Sequence, residues 1–340
     1  MSIRRFIAAS IGFAALAFGS AASADEVNLY SSRQEHLIRP LLDAFTKATG
    51  TTVNVVSAGE DALIERAKTE GANSPADVLI TVDAGRLIKA DQAGLFQPIK
   101  SLVLDAAIPA PLRDPKGNWY GLSMRARVIF YSKERVKPEE LSTYEALADP
   151  KWKGRICIRS SSNVYNQSML SALIVEDGAQ KAEAWAKGIA ANMARPPAGG
   201  DRDQILAVAA GVCDIAIANT YYYAGLLSSS KEEEKQAAQK VALFWPNQPG
   251  RGAHVNISGA GVMKNAPHKE AAIKLLEFLV SDEAQKLYAE AVYEFPVKPG
   301  IAPSGVVAGF GKFKADTLSL AEIANHQAEA IRIFDRVGWR

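Results

Sequence analysis

Short apolar runs of strand length alternate along this chain with longer stretches in which apolar residues recur at helical spacing. Residues 27–30 and 53–56 are apolar runs of this kind, with a helical pattern between them. Leu37, Leu41 and Phe45 mark one face of that helix. The opening of the chain therefore predicts a β-α-β unit, and the same alternation recurs later in the chain. Further strands are predicted at residues 77–80, 128–131, 156–158 and 213–218, and further helices at residues 60–68, 166–174, 180–191, 203–210 and 269–288.

The first 24 residues have the pattern of an export signal. Arg4 and Arg5 precede an apolar run at residues 6–18, and residues 22–24 (Ala-Ser-Ala) match the small-residue pattern of a signal-peptidase site. We therefore predict residues 1–24 as a signal peptide, cleavage after Ala24 and a periplasmic location. The apolar run is shorter than the roughly 20 residues that a membrane span needs, although an N-terminal anchor is the alternative.

The charge of the chain limits the partners that it can have, and its length indicates how many lobes it forms. The chain has 39 Lys and Arg against 37 Asp and Glu, and removal of Arg4 and Arg5 leaves 37 of each sign. Because the basic residues are interleaved with acidic ones and form no stripe, we expect no nucleic-acid partner. The remaining 316 residues (340 minus 24) exceed what one hydrophobic core usually holds, so we expect two lobes of three-layer α/β architecture.

The two cysteines, Cys157 and Cys213, are predicted to form a disulfide. An even number of cysteines in a chain exported to an oxidising compartment favours a bridge. Two buried thiols are the alternative, because the sequence does not give the distance between the residues.

Signatures of catalytic sites are missing from the sequence. It has no Gly-x-Ser-x-Gly elbow, no His-Glu-x-x-His, no Gly-x-x-x-x-Gly-Lys phosphate loop and no Gly-x-Gly-x-x-Gly. His36, His254, His268 and His326 stand singly, without the paired spacing of a zinc site. We therefore expect no enzymatic activity, with a secreted enzyme that uses an unrecognised acid or base as the alternative.

Three consecutive tyrosines, Tyr221, Tyr222 and Tyr223, closely follow the predicted strand at residues 213–218. Strand ends in α/β proteins face the ligand crevice, although aromatic rings that cap a core are the structural alternative. Phenolate oxygens are hard anionic ligands that suit a small trivalent cation, and ferric iron meets that demand. Such an ion also displaces the proton that a free tyrosine holds up to about pH 10.

A second polar loop, residues 159–166, also follows a predicted strand and begins a helix. Its exposed amides and hydroxyls are suited to hold an anion at the helix N-terminus, with Ser162 and Asn163 as the candidates. An ordinary N-cap by either residue is the alternative, and the two roles are compatible.

Over nearly all the mature chain, the sequence resembles the periplasmic ferric-binding proteins, the iron-specific members of the two-lobed type II solute-binding proteins. The most specific marker is the tyrosine pair in residues 219–222 (Asn-Thr-Tyr-Tyr). The resemblance implies α/β lobes joined by a hinge, ferric iron as the cargo, and an inner-membrane ABC permease as the partner of a monomeric protein. Other matching segments are residues 30–33 (Tyr-Ser-Ser-Arg), 74–78 (Ser-Pro-Ala-Asp-Val), 122–127 (Leu-Ser-Met-Arg-Ala-Arg) and 149–155 (Asp-Pro-Lys-Trp-Lys-Gly-Arg).

The family's tandem iron-ligating tyrosines fall on Tyr221 and Tyr222, which leaves Tyr223 as a packing residue. A third tyrosine ligand, found in the subgroup of cyanobacterial and carbonate-dependent members, falls on Tyr165. We predict that lobe 1 comprises residues 25–124 plus 252–302. Lobe 2, which carries the tyrosines, is predicted to comprise residues 125–251 plus 303–340.

The same subgroup implies a synergistic carbonate beside the ferric ion. Its anion-facing arginine matches Arg125, and Arg127 is the second choice. Three phenolates neutralise a trivalent ion, so a bound carbonate would add negative charge that Arg125 is placed to offset. The alternative ligand is an organic solute, such as a polyamine or a sugar phosphate, that stacks on the tyrosines or forms hydrogen bonds with them.

Departures from the family pattern limit the ligand set that the resemblance implies. Family members that use a histidine and a glutamate have them where this chain has Gln34 and Val82. Another subgroup has tyrosine at the position of Glu35, which leaves Glu35 as a metal ligand, a hydrogen-bond acceptor near the site or a surface residue. Asp201 and Asn163 replace parts of the family's phosphate-binding pattern, so phosphate is not the expected anion.

Overall fold

The computed structural model describes residues 25–303 and 305–340, and the predicted signal peptide lies outside the described residues. The strands are β1 (Glu26–Ser31), β2 (Thr52–Ser57), β3 (Val78–Thr81), β4 (Tyr120–Ser132), β5 (Ile156–Cys157), β6 (Ile215–Asn219), β7 (Val241–Phe244), β8 (Val255–Val262) and β9 (Phe295–Pro296). The helices are α1 (Glu35–Thr49), α2 (Glu60–Glu70), α3 (Ala84–Gln92), α4 (Leu102–Ala107), α5 (Val164–Asp177), α6 (Ala179–Asn192), α7 (Asp201–Ala209), α8 (Thr220–Leu227), α9 (Glu232–Gln239), α10 (Lys269–Leu279), α11 (Asp282–Leu287), α12 (Gly305–Ala308), α13 (Leu320–Asn325) and α14 (Gln327–Val337).

Helix α1 shows how the apolar pattern becomes local structure. Its buried side chains recur at helical spacing and include Ile38, Leu42 and Phe45. The helix ends at Gly50, whose φ of 76° favours glycine and whose N–H donates to the Thr46 carbonyl. Strands β1 and β2 are parallel neighbours on either side of α1 in the sequence, so the predicted β-α-β opening is present.

The strands form a sheet in the order β2-β1-β3-β8-β4-β6-β5, with β7 and β9 also paired to β4. β1 pairs in parallel with β2 and β3, whereas β8 runs antiparallel to β3. The long strand β4 belongs to both halves of the molecule, because residues 120–126 pair with β8 and residues 127–131 pair with β6. Strand β4 therefore joins two α/β halves.

Each half has its own hydrophobic core, and we call the two halves lobe 1 and lobe 2. The core of lobe 1 lies around β1 and β3 and includes Leu29, Phe45 and Leu276. The core of lobe 2 lies around β5 and β6 and includes Trp152 and Ile217. Helix α13 packs with α3 of lobe 1, while α14 packs in the lobe-2 core. In the described ranges, no helix is both long enough and apolar enough to cross a membrane.

Two of the predicted elements differ clearly in extent from the structure, and β7 and β8 were not predicted. The helix predicted at residues 269–288 is two helices, because the Ser281 hydroxyl accepts a hydrogen bond from the Ala284 N–H at 3.2 Å and so caps α11. Strand β4 begins at Tyr120, well before its predicted start. Polar residues such as Arg125 hide the strand pattern there, yet they are buried in hydrogen-bond networks.

Candidate metal centre

A cleft of about 350 Å³ lies between the two lobes. Its lobe-2 wall is formed by the three predicted tyrosine ligands together with Arg202 and Gly225. The tyrosines are Tyr165, Tyr221 and Tyr222, so the structure places all three in one cavity. The lobe-1 wall includes Ser32, Gln34, His36, Val82, Tyr293 and Glu294.

Two helices place the tyrosines at the cleft. Tyr221 and Tyr222 lie in the first turn of α8, directly after β6, and Tyr165 is the second residue of α5. The Tyr221 hydroxyl donates a hydrogen bond to the Tyr165 hydroxyl oxygen at 3.0 Å. The ring centroids of Tyr221 and Tyr222 lie 4.2 Å apart. The fold therefore gathers phenol groups from two helices, as a cation with several hard oxygen ligands requires.

Burial favours the protonated phenols in the metal-free protein. It raises the pKa of Tyr221 well above its ordinary value, and it also raises the pKa of Tyr165. Arg125 opposes the rise for Tyr165, because its guanidinium lies 5.3 Å from the centre of that ring. Arg159 lies over the same ring at 5.6 Å. A strongly charged cation is needed to displace the protons, and the two arginines then lie near the new negative charge.

Tyr223 lies in the core of lobe 2 and does not line the cleft. Its ring packs against Phe130 with the centroids 5.1 Å apart, and its hydroxyl donates to the Val241 carbonyl at 2.8 Å. Burial raises the pKa of Tyr223 to about 12. The third residue of the tyrosine run is therefore a packing residue in this structure.

Arg127 connects the starts of the two tyrosine-bearing helices. Its guanidinium donates to the Asn166 Oδ1 atom at 2.6 Å and to the Asn219 Oδ1 atom at 3.2 Å. Asn166 lies in the first turn of α5, and Asn219 directly precedes α8. The same guanidinium forms a buried ion pair with Asp201 at 2.9 Å. These partners occupy the terminal nitrogens of Arg127, and its anion-binding role stays a prediction.

Arg125 lies beneath the cleft wall. Its guanidinium pairs with Asp83 at 3.2 Å, and the Ser168 hydroxyl of α5 donates to the same carboxylate at 3.1 Å. The cavity beside Arg125 has a volume of about 10 Å³, enough for one water molecule and too small for carbonate. Because Asp83 already balances the charge of Arg125, the carbonate-binding role of this arginine stays a prediction.

The two residues proposed for anion binding on the polar loop make local contacts at the start of α5. The Asn163 Oδ1 atom accepts a hydrogen bond from the N–H two residues later at 3.0 Å, so Asn163 is the N-cap. The Ser162 hydroxyl forms a hydrogen bond with the Ser160 hydroxyl at 2.8 Å. These contacts account for both side chains structurally, and their anion-binding role stays a prediction.

Of the three positions near the cleft that depart from the family pattern, two line the cleft and one does not. Gln34 and Val82 line the cleft. Glu35 is not among the residues that line it, and its side chain is 55% exposed and pairs with Arg39. The structure therefore does not bring Glu35 to the tyrosines, and its role as a ligand stays a prediction.

The predicted disulfide between Cys157 and Cys213 is confirmed, with the two Cα atoms 5.9 Å apart. Cys157 ends β5. The sequence pattern predicts Cys213 within the next strand, but in the structure it lies just before β6. Strands β5 and β6 are parallel neighbours that lead toward α5 and α8. The bridge therefore links the two segments that carry the tyrosines to the cleft.

Sequence reasoning missed a buried ion pair in the lobe-1 wall. Arg33 pairs with Glu294 at 2.9 Å, although 261 residues separate the two. Burial raises the pKa of Glu294, but Arg33 and other donors outweigh burial and hold it below its ordinary value. Ser123 and Ser258 also donate to this carboxylate. The only sequence signal was the matching segment at residues 30–33, which does not identify the partner.

Clusters of carboxylates, histidines and cysteines are another type of metal site. Within residues 25–303 and 305–340, no group of three or more His, Cys, Asp or Glu side chains is arranged to hold a metal ion.

Comparisons with known proteins agree with this architecture. Residues 41–315 match the family model described as bacterial extracellular solute-binding protein. The chain is 52% identical to Iron uptake protein A1 of Synechocystis sp., over 93% of this chain and 88% of that protein.

Solved structures show the same fold. The structure described as Trichodesmium (IdiA) (FutA) in complex with iron and citrate ligands matches with a TM-score of 0.90 and 56% identity, over 93% of this chain and 100% of that chain. Apo FutA2 from Synechocystis matches with a TM-score of 0.88 and 48% identity, over 94% of this chain and 100% of that chain. The predicted two-lobed type II solute-binding fold is confirmed. The chain belongs to the bacterial extracellular solute-binding proteins.

Proposed function

We propose that this protein binds ferric iron in the interlobe cleft and delivers it to an ABC-type importer. The observation that carries the proposal is the meeting of phenols from α5 and α8, with the Tyr165 and Tyr221 oxygens 3.0 Å apart beside Tyr222. The similar proteins support the cargo, because one is named Iron uptake protein A1 and another was solved with iron and citrate. Solute-binding proteins are not enzymes, so membership of this family supports the prediction of no catalytic activity.

The donor chemistry selects for a hard, highly charged ion. Tyr165, Tyr221 and Tyr222 together supply three negative charges once deprotonated, which match the charge of ferric iron. The ion displaces the protons that burial otherwise retains on Tyr165 and Tyr221. Softer ions such as zinc prefer sulfur and nitrogen ligands, which the lobe-2 wall does not provide.

Carbonate is the anion that we propose beside iron. Its proposed partners are Arg125, which the family resemblance implies, and Ser162 and Asn163, which the polar loop indicates. The cleft volume of about 350 Å³ leaves room for an ion and a small anion together, although Arg125, Ser162 and Asn163 do not line the cleft. Ferric titrations of the mature protein with and without bicarbonate test this part. Tighter binding with bicarbonate is expected, whereas equal affinities would remove carbonate and leave the tyrosine ligands unaffected.

The family's extracellular character supports export of this chain. We propose removal of residues 1–24, a periplasmic mature protein that begins at Asp25, and an inner-membrane permease as its partner. Mass spectrometry of the exported protein tests the cleavage site. We expect a monomer, which light scattering of the purified mature protein measures.

A visible spectrum with metal analysis tests the cargo. The mature protein is loaded with ferric nitrilotriacetate and freed of excess chelate. We expect an equimolar amount of iron and a visible band, because phenolate-to-ferric charge transfer produces colour that zinc or a sugar does not. A protein that stays colourless and iron-free, yet binds a polyamine or a sugar phosphate, would contradict the proposal.

A pair of matched substitutions tests the ligand assignment. Tyr222→Phe removes a cleft oxygen and keeps the ring, so we expect weaker iron binding and a weaker visible band per bound iron, with little change in unfolding. Tyr223→Phe removes an oxygen from the neighbouring core residue and should leave the band intact. Equal effects of the two substitutions on the band would refute the assignment of Tyr222 as a ligand.

A further inference from the structure

Tyr293 has an unusual backbone conformation in the lobe-1 wall of the cleft. Its φ of 60° and ψ of 28° lie in the left-handed region, where a residue other than glycine is strained. Among the described residues, Asn247 is the one other non-glycine residue with a positive φ. Its side chain accepts a hydrogen bond from the Tyr144 N–H and donates one to the Glu145 carboxylate. The Tyr293 hydroxyl has no hydrogen-bond partner in the described part of the chain. Local hydrogen bonding therefore does not explain why a tyrosine occupies this position.

Neighbouring elements hold Tyr293 in this conformation. The π-helical turn Tyr288–Val292 ends at Tyr293, whose N–H donates to the Tyr288 carbonyl. The next residue, Glu294, is fixed by its buried ion pair with Arg33 and by a hydrogen bond from Ser258 at 3.0 Å. Strain of this kind persists where the surroundings fix the backbone, and π-helical turns and strained residues are frequent at functional sites.

The Tyr293 ring lies against the helix that carries the tyrosine pair. A Cβ atom built on Gly225 of α8 would lie 3.9 Å from the Tyr293 Cε2 atom. Gly225 comes one helical turn after Tyr221 and Tyr222, so it lies on the same face of α8 as those tyrosines. Tyr293 therefore lies beside α8 in the lobe-1 wall, and it lines the same cavity as the lobe-2 tyrosines.

The other lobe-1 groups at the cleft are poorer ligands for ferric iron. Gln34 offers a neutral amide, His36 offers an imidazole, and Val82 offers no polar side-chain atom. Glu294 is already engaged with Arg33 in a buried ion pair, at 2.9 Å. The phenol of Tyr293 is thus a hard oxygen donor of the lobe-1 wall that has no hydrogen-bond or ion-pair partner among the described residues.

We propose that Tyr293 is the lobe-1 ligand of the bound metal, a fourth phenolate that joins Tyr165, Tyr221 and Tyr222. The inference rests on the proposed binding of ferric iron. When iron binds, a bond forms between the Tyr293 oxygen and the metal, the O–H bond breaks and the proton passes to solvent. The oxidation state of iron does not change. A single ligand from lobe 1 then couples occupancy of the cleft to closure of the lobes.

Tyr293→Phe tests the inference, because it removes the oxygen and keeps the ring. The mature protein and its variants are loaded with ferric nitrilotriacetate, and absorbance per bound iron and affinity in competition with citrate are measured. We expect lower absorbance per iron and an affinity weaker by at least about 10- to 100-fold, the loss that follows removal of a group that only orients a metal ligand. Tyr288→Phe is the matched control from the same turn, since Tyr288 is buried and does not line the cleft.

The outcomes separate this inference from the proposed function. A coloured wild-type protein with unchanged absorbance and affinity in Tyr293→Phe would overturn the ligand role and leave the iron function intact. Weaker binding with unchanged absorbance per iron would also overturn it, because the hydroxyl would then act on closure without touching the metal. A wild-type protein that binds no iron would overturn the proposed function itself.

Discussion

The two walls of the cleft differ in how firmly the structure fixes them. The lobe-2 wall presents Tyr165 and Tyr221, already hydrogen-bonded to each other, from the first turns of two helices that Arg127 joins. The lobe-1 wall is assembled from separate segments and includes the exposed Gln34 and the strained Tyr293. One wall is thus a preorganised set of like donors, and the other is a set of unlike groups.

This difference predicts the order of binding. Groups that are fixed before binding lose less conformational freedom when a ligand arrives, so a preorganised set binds more tightly. We therefore expect iron to bind first to the lobe-2 tyrosines and lobe 1 to close afterwards. Both walls would then contribute to affinity, whereas closure and release would depend mainly on the lobe-1 wall.

The largest expected effect comes from Arg127→Met, which breaks the network behind the lobe-2 wall. The substitution removes the 2.9 Å ion-pair partner of the buried Asp201, which keeps only the more distant Arg159 at 3.6 Å, and it releases Asn166 and Asn219. Removal of one partner of a buried ion pair costs about 3–5 kcal/mol in the free energy of unfolding. Urea unfolding measures this loss, and competition with citrate measures the accompanying loss of iron affinity.

Arg39→Met is the control for Arg127→Met, because the Arg39 side chain is 40% exposed and pairs only at the surface. We expect less than about 0.5 kcal/mol from this change. If Arg127→Met folds with wild-type stability and binds iron normally, the lobe-2 wall is not preorganised by this network. The comparison between the walls would then lose its physical basis.

Removal of the disulfide distinguishes an effect on the stability of lobe 2 from an effect on the geometry of its cleft wall. Cys157→Ser with Cys213→Ser frees a loop with a sequence separation of 56 residues, which the chain-entropy model values at about 4 kcal/mol. We expect this loss in urea unfolding but a nearly unchanged visible band in the folded, iron-loaded protein. The reason is that hydrogen bonds and packing hold the helix starts once the chain is folded. A strongly weakened band in folded protein would show that the bridge itself positions the tyrosines.

Much of the fold could be predicted because its signals are local. The alternation of strand and helix patterns indicated α/β lobes, and three adjacent tyrosines after a strand marked the lobe-2 wall. The helix break at Ser281 was missed, because an apolar pattern that continues on both sides of a cap still resembles one helix. The first half of β4 was missed because its buried polar residues break the strand pattern.

The lobe-1 wall could not be predicted, because tertiary contacts create it. Arg33 and Glu294 lie at opposite ends of the sequence and meet only in the fold. The positive φ of Tyr293 is equally invisible in sequence, since tyrosine itself disfavours that conformation. The resemblance drew attention to Gln34 and Val82, which line the cleft, and to Glu35 as a possible ligand, which does not line it.

His254 predicts a pH dependence of stability at the junction of the lobes. Burial, followed by Arg251 and Arg127, lowers the pKa of His254 from 6.5 to about 3. The unfolded chain therefore binds a proton that the folded protein does not bind between these pH values, and stability falls as the pH falls. We expect a loss of about 3 kcal/mol between about pH 7 and pH 4 from this residue.

His254→Gln measures that contribution, because the variant has no imidazole to titrate. Its urea-unfolding free energy should fall less steeply with acidification than that of the wild type. Above about pH 7 the two curves of unfolding free energy against pH should differ only by a constant offset. Below about pH 7 the wild-type curve should fall relative to that of the variant. Parallel curves throughout the acid range would mean that His254 is protonated in the folded protein as readily as in the unfolded chain.

The smallest expected effect is that of Glu35→Gln, which tests whether the lobe-1 wall extends to the start of α1. The Glu35 side chain is 55% exposed and pairs with Arg39 one turn later, a type of pair worth about 0.3–0.5 kcal/mol. We therefore expect unfolding and iron affinity to change very little. Loss of a metal ligand, by contrast, would weaken iron binding on the order of 100-fold. A loss of that size would mean that α1 moves over the metal when the lobes close, so that the lobe-1 wall contributes a carboxylate as well as the phenol of Tyr293.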